Sequence, residues 1–174
     1  YDILLFNSNI ESEPNATLNL VNFDMLLKGV AKMNLSDSQK VVIYPDRKEL
    51  TLKKNRDFLY SGVTVAGNIE IFGSDCRFSY DDFKSDISII DSVRLNVDKF
   101  DYDGMGRAPL RQVKNVLEGG KGVVTIDHPR NKSGLNQDQV PQFPSFESLE
   151  ESFVYYDASA IQGGAYDREE FYFK

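Results

Sequence analysis

The chain has 174 residues, 41 % hydrophobic and 27 % charged, which is length and apolar content enough for a buried core. Its formal charge of −7 and pI near 4.8 argue against a nucleic-acid or anionic-membrane partner, since binding phosphates needs clustered Lys and Arg. The densest basic cluster, "KKNR" at Lys53–Arg56, is followed at once by Asp57. The single cysteine, Cys76, excludes an internal disulfide framework and a cysteine-rich zinc site.

No apolar run approaches the roughly 20 residues of a membrane-spanning helix. Beginning at Tyr1 and ending on "EEFYFK", the chain reads as a segment of a longer protein, with any export signal upstream.

In chain order the dominant period is two. "ATLNLVNFDMLL" alternates through Leu18, Leu20 and Asn22, then slips phase at Phe23, as a bulge allows. "KVVIYPDRKELTLKK" predicts a hairpin, with Val41–Tyr44 and Leu50–Lys53 flanking a turn at Pro45 and Asp46. In "FLYSGVTVAGNIEIFGSDCRFSY" the alternating Val63 and Val65, Ile69 and Ile71, then Cys76, Phe78 and Tyr80 are punctuated by Gly62, Gly67 and Gly73. That cadence predicts short strands joined by tight turns, as in a sandwich, a β-solenoid or a layered groove. "DSVRLNVDKF" predicts a further strand with Val93, Leu95 and Val97 on one face.

Leu110, Val113, Val116 and Leu117 recur at helical spacing between Pro109 and Gly119–Gly120. They predict one short amphipathic α-helix over 108–118. "GVVTIDHP" is expected as a strand ended by Pro129, residues 130–145 as a long polar loop, and the aromatic tail as strands around a Gly163–Gly164 turn. The fold class is therefore mainly β, sandwich-like or an elongated layered sheet with one short helix. It is read as a single domain over 1–174, with 1–55 a candidate separate unit.

Four features could carry chemistry. Cys76 shares a strand face with Phe78 and Tyr80, which points to a small core residue rather than an activated thiol. His128 stands beside Asp127, but adjacent strand residues face opposite ways, and no nucleophile elbow accompanies them. Asp101, Asp103 and Gly104 resemble part of a calcium loop. Lys99 and Leu110 occupy the places of its first aspartate and bidentate glutamate, leaving at most a shallow Ca²⁺ site of another design. "EGGKG" lacks the Lys-Ser/Thr ending of a phosphate loop, and its Lys121 is expected to cap the helix C-terminus. Glycosylation sequons fall at Asn15, Asn34 and Asn131. No catalytic, cofactor-binding or metal-binding residue is assigned, and no cofactor is expected.

The segments "NFDMLLKGVAKMNLSDSQKVVIYPDRKELTLKKNRDFLYSGVTVAGNIEIFGSDCRFSYDDFKSDISIIDSVRLNV", "GVVTIDHPRNKSG" and "FPSFESLEESFVYYD" resemble an interior stretch of very long Bacteroidota cell-envelope proteins. Asp91–Val93 (DSV) also looks like the short O-glycosylation motif of exported proteins in that group. A more distant analogy is to the AsmA and TamB-like envelope proteins, whose stacked strands form lipid-carrying grooves.

The resemblance implies a β-rich piece of a large envelope protein and assigns no activity to any residue. The expectation is a non-enzymatic structural or interaction module in the cell envelope. Its expected partners are flanking domains, other envelope proteins or a second copy through edge strands, with no nucleic acid. The alternatives are a lipid-binding or lipid-conducting groove and, behind it, a glycan-binding or glycan-active domain.

Overall fold

A computed structural model describes residues 4–11, 13–98, 110–112, 117–131, 143–155, 164–165, 167, 170 and 172–173. Their strands are β1 (Ala16–Leu18), β2 (Met25–Lys28), β3 (Met33–Ser36), β4 (Val41–Pro45), β5 (Glu49–Leu52), β6 (Phe58–Ala66), β7 (Ile69–Ser79), β8 (Lys84–Asp98), β9 (Leu110–Gln112), β10 (Leu117–Glu118), β11 (Gly122–Thr125), β12 (Ser145–Ser148), β13 (Phe153–Tyr155) and β14 (Tyr172–Phe173). They join in one large antiparallel sheet, so the mainly-β class is observed.

The registers reveal a line along which the sheet is interrupted. β6, β7 and β8 are long and continuous, but their neighbours come in collinear pairs. β5 meets the start of β6, and β4 meets its end. β2 pairs with β5, and β3 pairs with β4. On the other flank β11 and β10 lie end to end along β8, followed by β12 and β13. The interruptions fall at 29–32, 46–48, 119–121 and 149–152. Within the long strands the register shifts at Tyr60/Gly62 and Phe72/Gly73, with Asp75 at φ 52°.

Backbone bonds tie the interruptions together: Val30 N donates to Lys48 O, Ile90 N to Gly120 O, and Leu149 N to Lys121 O. Bulges bend strands and let one sheet turn a corner. Here they are stacked in adjacent strands, so the sheet has a crease. Inward residues from both sides of the line, including Phe58, Cys76, Phe78 and Ile87 on one and Met33, Ile43, Ile71 and Val93 on the other, belong to one buried cluster.

Three expectations change at this point. Gly62 and Gly73 do not separate short strands; they sit inside β6 and β7, and the turn between these strands lies at Gly67 and Asn68. At the crease a side chain has no room. A Cβ on Gly62 (φ 143°) would lie 2.2 Å from the Tyr44 carbonyl oxygen, and one on Gly73 would lie 2.6 Å from Ile87 Cγ2. Glycine in a strand marks a bulge as readily as a turn, and alternation continues through it.

The predicted helix over 108–118 is also corrected. Leu110–Gln112 pairs with Asn96–Asp98, and Leu117 pairs with both Val93 and Val154; Val113 and Val116 lie outside the described residues. Pairing with β8 and β13 overrides the local helical spacing.

The predicted hairpin is corrected as well: Val41–Tyr44 and Leu50–Leu52 do not pair with each other, because β4 and β5 lie end to end along β6 and each takes a different outer neighbour. Smaller differences follow the same logic. Phe23 (φ 61°) belongs to a turn between β1 and β2 rather than to a bulge in one strand. β11 ends at Thr125, and Ile126–Asn131 form a turn. Leu95 is 39 % exposed although Val93 is buried. The expected loop over 130–145 mostly lies outside the described residues, but Ser145 already belongs to β12. The tail strands are observed as β13 paired with β14.

The crease yields a direct contrast. Gly62→Ala should destabilise the protein by about 3 kcal/mol or more, because a left-handed backbone and a collision with main chain coincide. Gly119→Ala has nothing within 4 Å of its Cβ and should cost only about 1–2 kcal/mol from its φ of 79°. Urea unfolding of both variants checks this; equal losses would show that the crease is not sterically fixed.

Candidate functional site

The residues flagged by sequence are frame elements. Cys76 is 1 % exposed in β7, and burial pushes its thiol up to about 12, so it is protonated at neutral pH and a poor nucleophile. Its neighbour Tyr60 is also buried, and burial raises its phenol. The Tyr60 hydroxyl shares hydrogen bonds with Thr64 Oγ1 at 2.7 Å and Ser85 Oγ at 2.6 Å, which closes a polar triad inside the core.

Asp127 is buried, but its carboxylate accepts from the His128 main-chain N–H at 2.7 Å and from Asn131 Nδ2 at 3.4 Å, while Gln39 Nε2 approaches at 3.4 Å. Arg130 N donates to His128 Nδ1 at 3.1 Å. Asp127 therefore shapes a turn rather than orienting the imidazole as a catalytic pair would require.

Asp101, Asp103 and Lys99 lie outside the described residues, and the Leu110 position falls in β9. Lys121 caps no helix; it pairs with Glu150 at 2.9 Å, which raises its pKa. Of the sequon residues, Asn15 and Asn34 are exposed and Asn131 is buried. No group of three or more His, Cys, Asp or Glu side chains suited to a metal occurs among the described residues.

The structure instead organises a site at the turn between β5 and β6 and the adjoining β1–β2 hairpin. Asp57, only 3 % exposed, is its anchor. The carboxylate accepts from Arg77 Nη2 at 2.7 Å, Arg77 Nε at 3.3 Å, Asn55 Nδ2 at 2.8 Å and the Tyr80 main-chain N–H at 3.0 Å. Burial opposes its ionisation, but the Arg77, Tyr80 and Asn55 bonds outweigh that, and the carboxyl lies below its usual value of 3.8.

The turn is closed by Lys53 N donating to Asp57 O at 2.7 Å and Arg56 N to Lys53 O at 3.0 Å. It holds out three cations. Lys53 pairs with Asp24 at 2.7 Å, Lys54 sits 5.4 Å from the centre of the Phe23 ring, and Arg56 stacks 4.3 Å from the centre of Tyr80 while pairing with Asp81 at 3.0 Å.

Phe23 belongs to the hairpin tip. Asn19 N donates to Asp24 O and Phe23 N to Asn19 O, both at 2.8 Å. The side chains of Asn19 and Asn22 accept from Val21 N and Asp24 N. This network satisfies four of the turn's main-chain N–H groups from within, as Asx turns do. It leaves Leu18, Leu20, Val21 and Phe23 exposed by 44, 75, 91 and 51 %.

Sequence reasoning missed this site. The only signals were the "KKNRD" cluster and the phase slip at Phe23. Comparison with protein-family profiles, curated proteins and solved structures finds no match for this chain.

The Asp57 knot makes stability depend on pH. A carboxyl whose folded value is depressed contributes stability above its unfolded value and loses it as pH falls through the folded one. Asp57→Asn should therefore cost about 2 kcal/mol at pH 7, the order of hydrogen bonds to a charged group. The gap to the unaltered protein should shrink as pH drops from about 5 to below the ordinary Asp value of about 3.9. Urea titrations at several pH values read this; a gap unchanged down to pH 3 would contradict the charged-knot account.

Proposed function

We propose that this chain is a non-enzymatic interaction module of a large cell-envelope protein, and that it docks a protein partner through the β1–β2 hairpin tip. One observation carries the reading. Leu18 at the end of β1 and Leu20, Val21 and Phe23 in the turn are held out on a hairpin tip fixed by four internal main-chain N–H bonds, so the tip is ordered before it binds. A preorganised apolar tip with a polar rim is the anatomy of a small interface core, and it loses little entropy on docking.

The rim is charge-balanced, with Lys53 paired to Asp24 and Arg56 to Asp81, and the chain is net negative. Both features favour a protein surface over an anionic bilayer. The non-enzymatic part rests on how the reactive groups are used: Cys76 and Tyr60 lie inside the core, and Asp57 and Asp127 are spent on turns. The envelope setting rests on the resemblance carried by residues 22–97, 122–134 and 143–157.

A photo-crosslinking amino acid in place of Val21, in the full-length protein within its own cell, tests the docking. The expected result is a discrete protein adduct mapped to the tip by sequencing the crosslinked peptide, and lost when Leu20→Ser and Phe23→Ser are added. Adducts with lipid alone, or none, would contradict it.

A further inference from the structure

Behind the Lys53–Asp57 turn lies a cavity of about 350 Å³, within the size range of small-molecule sites. Its walls are apolar: Leu4 and Phe6 from the N-terminal segment, Leu52 from β5, and Phe78, Tyr80 and Phe83 from the β7–β8 hairpin region, with Leu35 of β3 completing them. Its mouth is made by Lys53, Lys54 and Arg56, and no carboxylate lines it. Phe78 stacks on Phe58 and meets Phe83 edge to face, so the floor is fixed by the core. Arg56 is held over Tyr80 by stacking and by Asp81. Lys54 makes no ion pair among the described residues and sits over the Phe23 ring.

We propose that this cavity binds one single-chain anionic amphiphile of the fatty-acid class, with the chain against Leu52, Phe78 and Phe83 and the anionic head at Lys53, Lys54 and Arg56. The argument is complementarity at both ends. Burying an acyl chain against these walls is favourable at roughly 25 cal/mol per Å² of apolar area. A carboxylate at the mouth meets Lys54, which has no carboxylate partner among the described residues, flanked by Lys53 and Arg56, whose partners Asp24 and Asp81 leave donors free for a charge-assisted bond.

The cavity is a confined pocket rather than a conduit. The inward face of the sheet is filled by the core cluster, and the cavity sits at one end of it, beneath the N-terminal segment. It therefore predicts one ligand per chain and discrimination by head-group charge. The inference does not depend on the hairpin tip: no tip residue lines the cavity, and either reading can fail while the other stands.

Isothermal titration at pH 7.5 and low salt, below micellar concentrations, uses dodecanoate as the probe, with dodecyltrimethylammonium as its charge-reversed control. Saturable one-to-one dodecanoate binding is expected, with the cationic probe weaker by about tenfold or more, the equivalent of losing one charge-assisted contact. Lys54→Glu with Arg56→Glu, both at exposed positions, should weaken dodecanoate about tenfold without altering the circular dichroism spectrum. Leu4→Glu should weaken it with the cations intact. Absence of saturable dodecanoate binding, equal affinity for the two probes, or indifference to the charge-reversed variant would each overturn the proposal.

Discussion

The structure depends on one steric constraint: adjacent strands must bend at the same place. A large flat sheet could not gather its inward residues into one cluster, and strands that bent at unrelated positions would lose their ladder. The crease satisfies both demands. Gly62 lies under the Tyr44 carbonyl and Gly73 against Ile87, and the flanking strands simply break where the long ones bulge. Of the polar residues nearest the line, Thr64 and Ser85 both bond to the Tyr60 hydroxyl, so among the described residues the bend adds no unsatisfied side-chain atom to the core.

From this constraint the position of the candidate site follows. β5 stops at Leu52, and the chain must turn back into β6 at Phe58. The intervening turn is fixed by Asp57, whose partners come from β7 and the residue after it, Arg77 and Tyr80. The cationic turn, the apolar hairpin tip beside it and the cavity behind it thus share a rigid base. The proposed docking surface and the proposed ligand site are neighbours because the same turn frames both.

Much of the sheet was legible in the sequence. The alternation of Val63 and Val65, of Ile69 and Ile71 and of Cys76 and Phe78 predicted strands, and strands are there. The buried thiol was equally readable from its phase with Phe78. What could not be read was long-range. Whether Gly62 is a turn or a bulge is decided by Tyr44, a residue on another strand, and whether Leu110–Gln112 and Leu117–Glu118 are helix or strand is decided by β8 and β13. Asp57 looked like the end of a charged run because Arg77 is its partner only once β6 and β7 pair. The hairpin tip hid in a phase slip, since a six-residue turn carrying Leu20, Val21 and Phe23 and a bulged strand have the same local pattern.

The two sides of the crease share one buried cluster and should open as one cooperative unit, which native-state hydrogen exchange of β6 and β7 tests most directly. Their slowest amides on both sides of Gly62 and Gly73 should exchange with the same free energy and the same dependence on denaturant. If the amides on one side exchange through an opening several kcal/mol easier than those on the other, the sheet is two units joined by a hinge, and the crease is not what holds the fold together.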